Sequence, residues 1–209
     1  MRADTFFSDQ DKQRIAETIA AVEQKTAGEI AVMVVDRSDT YPESDLLAGL
    51  LTGCLLALPV SDYFFGASLW AFLPLCVGLA LLGWFSARHV AGLKKIFLFP
   101  RRVDAMVQRC ALRSFFEKEL FRTRDKTGVL FFISLFERRV WILADKGIYE
   151  KIEQEGLQRY ATGIATGIKE GMAVDVLCRQ VEQIGSLLAE HFPVRPDDVN
   201  ELPDTVLTN

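Results

Sequence analysis

Gly128-Val129-Leu130-Phe131-Phe132-Ile133-Ser134-Leu135 is followed, after only Phe136-Glu137, by Arg138-Arg139-Val140-Trp141-Ile142-Leu143-Ala144. Both runs have strand length and are rich in β-branched and aromatic residues, and the two-residue gap predicts an antiparallel hairpin. The first run is apolar almost throughout, the pattern of a strand buried on both faces. Upstream, Glu29-Ile30-Ala31-Val32-Met33-Val34-Val35 has the same character and predicts another buried strand. That strand cannot form a domain alone, so it is expected to join the later pair.

Helical patterns surround these strands. Ser8 reads as an N-cap, with Asp9 and Asp11 suited to the positive end of the helix dipole. Ile15, Ile19 and Val22 recur at i, i+4 and i+7, and Gly28 is read as the stop. Val103, Met106, Val107 and Cys110 mark a second amphipathic helix running to about Leu120, with Phe115 and Phe116 closing its apolar face. Two more helices are expected around 149–169 and 173–191. The order predicts an α/β fold, a helix-flanked small mixed sheet (an α/β/α sandwich). Residues 193–209 carry Asp197, Asp198, Glu201 and Asp204 beside prolines and read as a mobile acidic tail.

The first strand is separated from the later pair by an unusual block. Residues 46–87 contain one charge, Asp62, while the rest of the 209-residue chain is charged like a normal soluble surface. At about 1.5 Å per residue the block reaches roughly 63 Å, enough for two crossings of a bilayer core about 30 Å thick. Pro59-Val60-Ser61-Asp62 is a turn signal dividing it into 46–58 and 63–85. A two-helix transmembrane hairpin is therefore predicted inside the domain. The organisation is then a discontinuous domain of 1–45 and 88–192, a hairpin of 46–87 and a tail of 193–209. Because the sheet needs strands from both sides of the hairpin, both ends must lie in one compartment.

Flanking charge predicts the orientation. Arg88, Lys94, Lys95, Arg101 and Arg102 follow the hairpin with no acid among them, whereas its tip has no Lys or Arg. The positive-inside rule places the domain and both termini on the cytoplasmic side of the inner membrane. Met1 to Asp9 has no apolar core of signal-peptide length. Arg88, Lys94 and Lys95 are candidates for contact with anionic headgroups, or they serve only to orient the hairpin. Gly49 and Gly53 form a G-x-x-x-G that packs either on the second span or on another copy of the chain.

Net charge is −4, and no basic helix or aromatic RNA-binding signature argues for nucleic acid. Cys54, Cys76, Cys110 and Cys178 include no C-x-x-C pair, so neither a disulfide framework nor a zinc site is expected. No Cys has an Arg six residues later, as a cysteine-phosphatase loop requires. Asp9-Gln10-Asp11 spells D-x-D but falls in a helix's first turn, where capping explains it. Gly163, Gly167 and Gly171 are not a Walker sequence and are read as a helix face packed closely on the sheet. His89 and His191 have no triad-like partners.

A set of stretches runs in order along the chain: Phe7-Ser8, Glu23-x-x-Thr26-x-Gly28-Glu29-Ile30, Thr127-Gly128-Val129-Leu130 and Ser134-Leu135-x-Glu137-Arg138. Val140-x-Ile142-x-Ala144-Asp145-x-Gly147-Ile148, Phe192-Pro193 and Asn200-Glu201-Leu202 complete the pattern. Together they resemble the TPM domain family, the phosphatase-like domain of photosystem-repair proteins and many bacterial membrane proteins. The chain is similar to a bacterial branch with a transmembrane pair after the first strand. The resemblance implies either an acid-phosphatase-like or metal-binding activity, or a role in assembly of membrane complexes.

Carboxylates are the remaining chemistry. If the first and third strands run parallel, Asp36 and Asp145 end on one sheet edge, and Asp125, preceding the second strand, shares it. Three such carboxylates would bind Ca²⁺ or Mg²⁺ through oxygen, and the ion would polarise a phosphate ester. Otherwise they are ordinary strand-end and turn residues. The sequence reading therefore favours a membrane-anchored TPM-type binding or assembly module, its partners the lipid bilayer and another membrane protein. The alternative is a metal-dependent phosphatase using Asp36, Asp125 and Asp145.

Overall fold

The computed structural model describes residues 2–66, 68–124, 126–152, 154–194, 201–202 and 205–208. The chain divides into two compact units, one of residues 1–39 and 104–209, the other of residues 40–103. The outer unit is mixed α/β.

Its sheet contains β1 (Glu29–Val35), β2 (Gly128–Ser134), β3 (Arg139–Ala144) and β4 (Leu207–Thr208), in the order β3-β2-β1-β4. β1 and β2 are parallel, pairing Glu29 with Gly128 through Val35 with Ser134. β2 and β3 form the expected antiparallel hairpin, Val129 opposite Ala144 and Ser134 opposite Arg139. The first and third strands are consequently antiparallel, which overturns the parallel arrangement assumed above. The reason is topological: a parallel β1–β2 pair needs only a long crossover, which the intervening chain supplies, and a tight hairpin then reverses β3.

Every residue of β1 and β2 is buried. Ile30, Val32 and Val34 share one core with Phe131, Ile133 and Ile142. The helices α1 (Asp9–Glu23), α7 (Gln154–Lys169) and α8 (Ala173–His191) build that side, contributing Ile15, Leu157, Ile164, Leu177 and Ile184. Ala31, Met33, Leu130 and Phe132 have the opposite parity and are equally buried, so the sheet is covered on both faces. Phe115 of α5 (Pro100–Glu117) approaches Gly128 on this unit.

Local expectations hold in part. Ser8 and Asp11 form a reciprocal capping box at α1. The helix ends at Glu23, before Gly28, whose missing Cβ instead makes room for Leu188 of α8. Gly163 and Gly167 lie against Gln180 and Val176 of α8 rather than against the sheet. The tail expectation is corrected where residues are described. Leu207 and Thr208 pair in parallel with Met33 and Val34, and the Glu201 and Leu202 backbones donate to Glu29. β1 had an unpaired edge, and a short edge strand satisfies its backbone.

The unit of residues 40–103 is helical, with α2 (Pro42–Phe65), α3 (Leu69–His89) and the short α4 (Ala91–Ile96). Helix α2 runs through Pro59 and ends at Gly66, so Asp62 sits inside a helix, not at the turn. One proline removes a single ladder bond from a 24-residue helix, whereas Gly66 at φ +57° makes the left-handed cap that ends it. Both helices are long and apolar enough to cross a membrane. At 1.5 Å per residue they measure about 36 and 32 Å.

Their packing inverts that of the sheet unit. The buried positions of α2 are Ser44, Asp45, Ala48, Gly49, Gly53, Ala57 and Ser61, and those of α3 are Gly83 and Ala87. A Cβ on Gly49 would meet the Ala80 carbonyl oxygen at 2.7 Å, and one on Gly53 would meet Ala80 Cβ at 2.7 Å. The Gly49/Gly53 stripe thus packs against α3. The large side chains point away: Leu55, Leu58, Tyr63, Trp70 and Leu82 are 59–89% exposed.

Candidate functional site

The two ends of the sheet carry the polar residues. At the carboxyl end of β1, Asp36 accepts a hydrogen bond from the Ala3 backbone N–H. Its carbonyl accepts from Phe136 N–H at 2.9 Å, tying the β1 exit to the β2–β3 turn. Beside it, the buried Glu137 carboxylate accepts from the Ser38 backbone N–H at 2.9 Å and from the Ser134 hydroxyl at 2.5 Å. The Ser38 hydroxyl donates to Ser134 Oγ at 2.9 Å. The result is a hydroxyl chain leading from the partly exposed Ser38 to a buried carboxylate.

Cys110 lies against this chain. Burial pushes its thiol pKa up, and the Glu137 charge adds to the rise, against smaller opposing hydrogen bonds from Ser38 and Ser114. A thiol held protonated is a poor nucleophile. The Glu137 carboxylate is itself engaged by two donors, so the network fastens the loop after β1 to the hairpin turn. Its chemistry is that of a satisfied buried polar group.

Asp145 lies at the other end. It caps α6 (Lys146–Tyr149), its Oδ1 accepting from Lys146 N–H at 2.6 Å, and its own N–H bonds Gly128 carbonyl oxygen at 2.8 Å. Since Gly128 pairs with Glu29, Asp145 stands at the amino end of β1 and Asp36 at the carboxyl end. The strand length puts them on the order of 25 Å apart. Asp125 lies outside the described residues. The expected three-carboxylate edge is therefore not assembled: Asp36 is removed from it by the antiparallel course of β3. Among the described residues no group of three or more His, Cys, Asp or Glu is placed to share a metal ion.

The amino end instead gathers stretches far apart in sequence. Thr26 Oγ1 donates to the Phe192 carbonyl at 2.7 Å, and Thr127 Oγ1 to the Ala27 carbonyl at 2.7 Å. Glu29, 6% exposed, accepts from the backbone N–H groups of Glu201 and Leu202 at 3.3 and 3.2 Å. These residues belong to the motif stretches Thr26-x-Gly28-Glu29, Thr127-Gly128, Phe192-Pro193 and Glu201-Leu202. What marks them in the sequence is their role as ties between distant segments. Glu29 here, and Glu137 of Ser134-Leu135-x-Glu137-Arg138 at the other end, were legible only as members of motif stretches, because a buried carboxylate is recognised by its partners.

Of the three residues expected at a membrane surface, two remain on a surface. Arg88 is exposed, its guanidinium 5.6 Å from the Trp84 ring centroid, and Lys95 is exposed. Lys94 is corrected: it is 7% exposed, with Nζ 2.9 and 3.0 Å from the two Asp45 carboxylate oxygens. Asp45 opens α2 and Lys94 lies on α4, so the pair staples the base of the helical unit. A buried lysine needs a counter-charge, and Asp45 supplies it. Arg102 and Glu43 make a second, more exposed pair at 2.9 Å.

No family model matches the sequence, and no curated protein matches it. Among solved structures, the fold is similar to that of the BA42 protein from the psychrophilic bacterium Bizionia argentinensis, determined by NMR. The match covers 100% of this chain and 99% of that one, with a TM-score of 0.62 and 18% identity. At that identity the likeness is one of fold.

Proposed function

We propose that this chain is a membrane-anchored binding or assembly module of the TPM type. Its hairpin of α2 and α3 crosses the inner membrane twice and its α/β unit works at the cytoplasmic surface. The observation that carries this reading is the outward apolar face of the hairpin. Among the described residues, nine large apolar side chains on α2 and seven on α3 are exposed. Complete burial of such a side chain is worth about 1.5–3 kcal/mol, and each forgoes a share of it in proportion to its exposure. Summed over sixteen side chains, the loss is at least of the order of a typical domain's net stability, about 5–15 kcal/mol. A core helix of a soluble protein passes the same length and apolarity test but is mostly buried; only 6% of the apolar window of α3 is.

Connectivity supports an even number of crossings. β1 precedes the hairpin, β2 follows it, and the two pair along seven residues. A single crossing would place them on opposite sides of the bilayer. The cytoplasmic side is favoured by Arg88, Lys95, Arg101 and Arg102 after the hairpin, against a tip free of Lys and Arg. The hydrolase alternative requires Asp36 and Asp145 in one site, and the sheet separates them.

Topology tests the reading. Reporter fusions at Gly66 and at the carboxyl terminus are expected to report opposite compartments, with the chain retained in membranes after carbonate extraction. Fusions reporting the same compartment, or release by carbonate, would overturn it.

A further inference from the structure

Beyond the anchor, the sheet unit has a groove beside β3, which is an edge strand of the sheet. A cavity of about 280 Å³ has Phe6, Ile133, Leu135 and Ile168 on its apolar side and Arg138, Arg139 and Lys169 on its polar side. It continues into a second space of about 260 Å³ that shares those three cations and adds Asp104, Trp141 and Thr166. Together these spaces have the volume of a small-molecule site.

Charge in the groove runs against the rest of the protein. Three cations face one carboxylate, Asp104, which pairs with Arg139 at 2.7 Å. The groove therefore holds an excess of two positive charges in a chain whose net charge is −4.

Arg138 is the second observation. It has φ +54°, in the left-handed region that glycine or asparagine adopts most readily. The four-residue turn between β2 and β3 imposes that geometry, and a glycine would meet it without a Cβ penalty. The arginine there lines the groove at a conformational cost. Lys169 lies in the last turn of α7, where the helix dipole by itself favours a cation; that accounts for Lys169 and leaves Arg138 unexplained.

We infer that this groove binds a phosphate monoester whose organic part is apolar, with Arg138 and Lys169 holding the phosphate and the Phe6/Ile133/Ile168 side receiving the body. A phosphate monoester carries close to two negative charges at neutral pH, the complement of the groove's excess. Arginine presents the forked donor set that phosphate oxygens accept. The ligand is either a soluble ester or the headgroup of a phosphatidic-acid-type lipid, which present the same chemistry. This rests on the binding-module reading and names its ligand class.

The test is calorimetric titration of the full chain in phosphatidylcholine nanodiscs with phenyl phosphate and with inorganic phosphate. Saturable binding is expected, tighter for phenyl phosphate because only it fills the apolar side. Arg138→Gly is expected to weaken it at least about tenfold while keeping or raising Tm, since glycine suits the turn. Lys169→Gln, which leaves the turn untouched, should weaken it about as much. Discs containing phosphatidic acid separate the sources. A lowered apparent affinity for phenyl phosphate assigns the groove to the lipid, and an unchanged one assigns it to a soluble ester. No saturation by about 10 mM in plain discs, or equal affinity in both variants and the parent, overturns the inference. The topology experiment is unaffected by that failure, so the two readings fall separately.

Discussion

In the sheet unit, Phe131, Ile142 and Leu157 are fully buried, whereas in the helical unit Leu55, Leu58 and Trp70 are exposed and Gly49, Gly53 and Ala57 are inside. The same residue types occupy opposite places in one chain. In water, large apolar side chains are driven together and set the core. In the hairpin, small residues let two helix backbones approach, and the large ones are left for an apolar surrounding. Such an inversion is the pattern that two different solvents would produce.

The largest effect expected from breaking this contrast is at Phe131. Phe131→Ala should cost about 4 kcal/mol in urea unfolding of the full chain in mild detergent. Leu55→Ala, at a side chain 66% exposed, should stay within about 0.5 kcal/mol in the same assay. Equal costs would mean that Leu55 is covered by protein and that the hairpin is a misread core.

Next comes the charged pair Lys94–Asp45, buried in the helical unit. Lys94→Met leaves Asp45 without its counter-charge and is expected to lower stability by about 3 kcal/mol. The double variant with Asp45→Leu should recover most of that loss, because two apolar groups can replace a buried ion pair. Additive losses instead would show that the two residues do not act as a pair.

Overpacking the small-residue face is a smaller change. Gly53→Leu would place a Cβ 2.7 Å from the Cys76 carbonyl oxygen, which is backbone and cannot step aside. A cost of about 2 kcal/mol is expected, read as lower thermal stability or loosened protease protection of the hairpin. Tolerance at Gly53 would remove the close contact from the account.

The smallest effect sharpens the sheet-unit side of the comparison. Ser8→Ala removes the α1 cap and should cost about 1 kcal/mol at neutral pH. The Ser8 hydroxyl and backbone hold the Asp11 carboxyl below its usual pKa. That stabilisation is present above the ordinary carboxylate range and fades as pH falls through the lowered folded value. The Ser8→Ala penalty should therefore shrink below about pH 4. A constant penalty would mean that the hydroxyl acts without the carboxylate.

Much of the fold was legible before any coordinates. β2 and β3 were readable to within a residue because a two-residue gap between apolar runs leaves few alternatives. Ser8 and the α1 stripe were readable because caps and i, i+4 spacing act locally. Gly28 was misread as a helix stop, since nothing local distinguishes a terminating glycine from one that makes room for Leu188. The carboxyl-terminal strand was hidden by its acidic neighbours: two residues carry too little pattern to announce a strand. The metal edge failed for a non-local reason, the direction of β3 relative to β1. The groove went unnoticed because Phe6, Arg138 and Lys169 are joined only by folding.

By itself the sequence determined that a charge-poor block interrupts an α/β unit, that its strands are buried and that the block has length for two helices. These follow from composition and periodicity, which act over a few residues. The tertiary structure alone decided that β1 pairs in parallel with β2, that Lys94 is spent on Asp45, that Asp36 and Asp145 stand at opposite ends, and that three cations converge on one groove. Those outcomes depend on which distant segments share a backbone ladder or a packed face. A single chain cannot state that locally, because burial and charge pairing are properties of the neighbours a residue acquires.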